Sequence, residues 1–211
     1  MDRDEARTRM DEIQRIMERA TLWTLLPGAA AILGGCLVLA GCAASYAMFG
    51  SLDFADMLNM PLAMQFAFCL MWFLIGLAGV AVEAVFTFLV ARKQGLAPSV
   101  RSGRLAAFSM TPSVVVAMVL TVRFLMPVSP RPEEIRYIVP IWMMLYGNGV
   151  YTAGLFSVRP PRVLGLAFLV AGIAALFAFP QYGVAWAAAA FGLFHIVFGL
   201  YIVRRRREWT P

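Results

Sequence analysis

Glu83 is the only charge in the apolar run Met60 to Ala91 and stands nine residues before Arg92. At 1.5 Å per residue its carboxyl lies about 13 Å from that basic boundary, near the middle of a hydrocarbon core. A carboxyl there needs a partner or a proton. Gly76, Gly79, Glu83 and Thr87 recur at helical spacing, and such a small-residue face is expected to pack inside a helix bundle. His195, the one histidine, stands nine residues before Arg204 and shares a face with Ala188, Gly192 and Gly199. Both residues are thus expected at one depth and pointing inward, as candidates for a proton-sharing pair whose charge follows pH. A structural hydrogen bond to a neighbouring helix is the competing reading for each.

Tyr146, Asn148, Tyr151 and Thr152 bring polar groups to a further apolar run around Gly147 and Gly149. They line a cavity if the glycines break the helix, or make interhelical hydrogen bonds if the glycines allow close approach. Arg123, just before Met126 and Pro127, is expected to snorkel to an interface. Met57, Met60 and Met64 have the thioethers to hold copper(I), yet methionine is a common flexible core filler, which is the stronger reading. Cys36, Cys42 and Cys69 carry no pairing motif. One histidine cannot form a bis-histidine haem site, no Cys or His cluster has zinc spacing, and no nucleophile stands with its base. The expectation is a non-enzyme without a cofactor.

The elements that hold these residues follow from composition. Of 211 residues 61% are hydrophobic and 14% charged, far from a soluble domain. Little chain is left for a globular head, and the net charge of +6 does not indicate a nucleic-acid reader. Residues 1–20 mix acidic and arginine residues with Met10, Ile13, Ile16, Met17 and Ala20 at helical spacing, an amphipathic interfacial helix. Residues 21–203 read as six spans: one ending near Met48, then Met60–Ala91, Leu105–Met126, Tyr137–Val158, Val163–Phe179 and Val184–Val203. Residues 204–211 are a basic tail. The second span is long enough to split, but no proline or polar turn interrupts it, and as one helix it puts 15 of the 18 Lys and Arg on the side of the amino terminus. Under the positive-inside rule both termini are cytoplasmic in a bacterial inner membrane. Leu39-Ala40-Gly41-Cys42 has the form of a lipoprotein cleavage site, but the long, half-acidic leader argues for Cys42 as a small packing residue.

The spans group as three hairpins, and aligning the second and sixth at their basic stops matches Glu83 with His195, Phe86 with Phe198 and Gly76 with Ala188, a candidate internal repeat. Ala167, Ala171 and Ala175 predict close packing of the fifth span, within the monomer or across a homo-oligomer. The last hairpin, with its small residues, the Phe179-Pro180 turn, a second helix rich in glycine and aromatics, and the Arg204–Arg207 cluster, resembles the repeated hairpin of HdeD-type bacterial acid-resistance membrane proteins. The whole chain, with its leader, its spans and the Arg92-Lys93-Gln94-Gly95 loop, is similar to a widespread group of uncharacterised bacterial six-helix inner-membrane proteins. These resemblances imply a link to stress and no defined reaction. Two readings follow. One is proton or small-solute transport or sensing through Glu83 and His195, with Tyr146, Asn148 and Tyr151 around them. The other is a non-transporting module that binds a lipid, an apolar ligand or a partner membrane protein.

Overall fold

The computed structural model describes Arg9 and residues 28–93, 101–126, 132–155 and 159–209, and these are all-α. The elements are α1 (Gly28–Phe49), a 3-10 helix (Phe54–Asn59), α2 (Leu62–Lys93), α3 (Arg101–Leu125), the short α4 (Pro132–Arg136), α5 (Ile138–Leu155) and α6 (Arg159–Ala178). A 3-10 turn (Pro180–Tyr182) leads into α7 (Gly183–Ala187), a π-helical stretch (Ala188–Phe194) and α8 (His195–Trp209). The leader 1–20 lies outside the described residues except for Arg9, which is helical.

Among the described residues five helices are long and apolar enough to cross a membrane: α1, α2, Phe108–Leu125 of α3, α6 and the run Pro180–Arg205. The chain is a multi-pass membrane protein. The sequence reading of six spans differs at α5, which has 18 residues and carries Tyr146, Asn148, Tyr151 and Thr152. Its polar groups dilute its hydropathy, and its buried residues include Met143, Gly147, Gly149, Val150 and Gly154. The long second run is one helix, as expected, with 32 residues. Gln65 Nε2 fixes its start by donating to the carbonyls of Met60 (2.9 Å) and Leu58 (3.2 Å).

Glycine sets the two closest helix contacts. A Cβ on Gly35 of α1 would lie 2.6 Å from the Gly192 carbonyl oxygen, and one on Gly28 would lie 2.7 Å from that of Gly199. On α5, a Cβ on Gly147 would come within 2.8 Å of the Gly165 oxygen of α6. Backbones meet here without intervening side chains, the packing mode of small-residue seams in membranes. Ala175 of α6 is fully buried, while Ala167 and Ala171 are only partly so, and Gly165 and Gly172 make the closer approach.

Polar side chains tie the connections together at one end of the bundle. The buried Asp53 accepts from the Ala55 N–H (2.9 Å) at the start of the 3-10 helix and pairs with Arg136 Nε of α4 at 2.6 Å. Val184 N–H donates to the Leu52 carbonyl (2.9 Å), and Gly183 leaves room for the Phe54 ring. Phe49, Phe54, Phe68 and Trp72 pack edge to face beneath this cap. Arg92, Lys93, Arg159 and Arg204 lie toward the opposite end of their helices. The methionine stripe is not formed: Met57 is buried in the 3-10 helix, Pro61 interrupts the spacing, and Met64 is exposed on α2.

Candidate functional site

His195 begins α8 immediately after the π-helical stretch. A π turn displaces the usual i to i−4 pairing, a feature frequent at functional sites. Ile196 packs on Gly35 of α1, and Gly192 meets Leu39 and Gly35, so the His195 face points into the bundle as the spacing implied. Its Nε2 makes a 2.7 Å hydrogen bond with Tyr146 Oη of α5. Around this pair lie Phe168 and Phe191, with ring centroids 4.9 and 5.4 Å from that of Tyr146. The Phe191 ring also stacks on the imidazole at 6.4 Å. The Phe191 and Ala190 carbonyls approach the ring, yet Nδ1 is buried and closes no hydrogen bond of its own. A hydroxyl-to-imidazole bond in an aromatic box can pass a proton or simply hold two helices together.

Glu83 does not touch His195. The indole of Trp72 donates to Ser45 Oγ of α1 (3.1 Å) and Ile75 packs on Gly41. This register brings Glu83, about 12 Å further along α2, level with Leu33 to Gly35 and therefore with His195. The shared depth expected from sequence is reproduced; the inward packing is not. Gly76 and Gly79 would offer a Cβ open space, and Glu83 is exposed. The reason lies in side-chain size: α2 meets α1 through Phe68, Trp72 and Ile75, which reach Phe49, Ser45 and Gly41 and leave the glycine face on their flank. The carboxylate is exposed on α2 and has no hydrogen bond or ion pair among the described residues.

The remaining candidates are spread along α5. Asn148 Nδ2 donates to Ser113 Oγ of α3 (3.3 Å), Thr152 returns to the Asn148 carbonyl (2.8 Å), and Tyr151 is 39% exposed, away from the pair. The α5 glycines therefore serve close approach and break nothing. Trp142 Nε1 adds a 2.7 Å bond to Thr121 Oγ1 of α3. Arg123 is exposed near the end of α3. Cys36, Cys42 and Cys69 are free thiols, Cys42 being buried in α1 as a packing residue. On the other side of α2, Leu37, Ala67, Leu70, Met71, Leu74, Ile75 and Ala78 line an open-sided apolar groove of about 420 Å³.

Sequence reasoning missed the Tyr146–His195 bond, though it named both residues, and the Asp53–Arg136 pair. The first had a usable signal, since both residues fall near the middle of their runs. No family model matches the chain, nor does any curated protein or solved structure.

Proposed function

We propose a six-span bacterial inner-membrane protein with both termini cytoplasmic, in which Glu83, Tyr146 and His195 form a protonatable site for proton-linked transport or sensing of a small solute. The observation that carries the reading is the 2.7 Å hydrogen bond between Tyr146 and the only histidine inside the bundle, level with an unpaired carboxyl on a spanning helix. Ionisable groups at this depth are costly and mark functional pathways. On this reading Glu83 takes and releases a proton on the exposed side of α2, and the Tyr146–His195 bond responds to its change in charge. α5 counts as the sixth span because Ser113 and Thr121 cover its polar groups. The meeting of Leu52, Asp53, Arg136 and Val184 at one end supports three hairpins. The link to stress rests on the resemblance to HdeD-type proteins alone.

Reconstituted protein should show a pH-dependent flux or conformational change that Glu83→Gln and His195→Ala abolish. Unchanged behaviour in both variants overturns the reading. The apolar groove between α1 and α2 favours a second one, a non-transporting module that takes a lipid acyl chain there. On that view Ala78→Trp displaces co-purifying lipid and leaves any proton response intact.

A further inference from the structure

The last membrane run is built in two halves whose buried faces are out of step. Upstream, Gly183, Ala187 and Ala190 are buried. At 3.6 residues per turn, an α-helix continued from them would turn Phe194, Val197 and Tyr201 to the bundle. Val197 and Tyr201 are instead exposed, while Gly199 and Ile202 are buried. The buried stripe has moved by one residue. A π turn closes on the fifth residue where an α turn closes on the fourth, so the stretch Ala188–Phe194 takes up the extra one. His195 is the first residue beyond it, and its 2.7 Å bond to Tyr146 Oη holds the downstream half in this setting. On the other side of the ring Nδ1 is buried and makes no hydrogen bond among the described residues, a cost that this register carries.

Restoring α-helical pairing through the stretch turns everything beyond it by one position, about 100° around the helix axis. Phe194 then takes the place of His195 against Tyr146, and His195 that of Ile196 on Gly35. Phe198 takes that of Gly199 against the Gly28 carbonyl, where even a Cβ has no room. α8 can therefore turn only if α1 moves off it. We infer that the π turn is a one-residue register switch in the last span, locked by the Tyr146–His195 bond, whose release turns α8 and opens the glycine seam with α1. The switch needs the bond and not the proton exchange assigned to Glu83, so it stands or falls separately from the flux measured for that site.

The test uses the full-length protein in lipid vesicles, with Cys36→Ala, Cys42→Ala and Cys69→Ala and a single reporter thiol from Ile202→Cys, buried on Gly28 at the seam. Its rate of labelling by a soluble maleimide follows the fraction of time the seam is open. Tyr146→Phe removes the lock, and the usual strength of an interhelical bond in membranes makes labelling about three- to twentyfold faster. Deleting Leu193, an exposed residue of the π stretch, removes the spare residue and keeps both buried faces in place. The deletion protein should fold and keep the imidazole ¹⁵N signature of the Tyr146 bond. Adding Tyr146→Phe to it should change the labelling rate by less than about twofold. A bond that merely braces the bundle would speed labelling equally with and without Leu193, and that result overturns the switch. So does an unchanged rate in Tyr146→Phe alone. A Leu193 deletion that fails to fold or loses the bond overturns it as well, because the two halves would then not differ by one residue.

Discussion

Gly35→Ala tests the packing on which the position of His195 depends. The added methyl would sit 2.6 Å from the Gly192 carbonyl oxygen and 2.7 Å from Ile196 Cγ1. Ordinary contact begins near 3.4 Å, so α1 and the π turn must part by about 0.8 Å, or the backbone must bend. One obstacle is a backbone carbonyl that cannot rotate away, which puts the cost toward the upper part of the roughly 1 to 3 kcal/mol range for overpacking. Gly76→Ala is the internal control: it adds the same methyl to a spanning helix where nothing lies within 4 Å and should change stability by less than about 0.5 kcal/mol. Both variants can be compared by reversible unfolding in mixed micelles, with tryptophan fluorescence as the probe. Gly35→Ala combined with Gly192→Ala should cost less than the sum of the two, because helices already parted accept the second methyl more easily. The reasoning is refuted if Gly76→Ala destabilises as much as Gly35→Ala, or if Gly35→Ala is neutral.

Arg136→Gln leaves the buried Asp53 carboxylate without its ionic partner; because the arginine is 39% exposed, the loss should be about 1 kcal/mol, read as faster proteolysis of the connection at residues 50–61. Tyr146→Phe removes the partner of His195 Nε2, an interhelical bond worth about 0.6 to 1.7 kcal/mol in membranes, and should shift the imidazole ¹⁵N resonances without unfolding the bundle. Ser45→Ala takes away the acceptor of the Trp72 indole, and the Trp72 emission, isolated by replacing the other tryptophans, should move to shorter wavelength.

Periodicity and charge went far toward the fold. The uninterrupted run Met60–Ala91 announced the single α2, and the nine-residue distances from Glu83 to Arg92 and from His195 to Arg204 anticipated their common depth. What spacing cannot convey is which of several faces a neighbour selects. Small residues at Gly76 and Gly79 looked like a seam, but Phe68, Trp72 and Ile75 on the adjoining face bury more apolar area and won the contact with α1. On α8 the competition ran the other way, because Gly35 and Gly28 of α1 face Gly192 and Gly199. The two helices of the candidate repeat therefore pack by different rules. The π turn had no signature in the run Ala188–Phe194; the pairing of Tyr146 with His195 is a meeting of residues far apart in sequence, decided by the Gly147–Gly165 and Gly35–Gly192 contacts that set the helix distances.

The most direct test is the pH-difference infrared spectrum of the reconstituted protein. A carboxyl band should titrate in the native protein and disappear in Glu83→Gln, the one carboxyl on a spanning helix among the described residues. A spectrum in which Glu83→Gln leaves every titrating carboxyl band in place would contradict the proton-site reading.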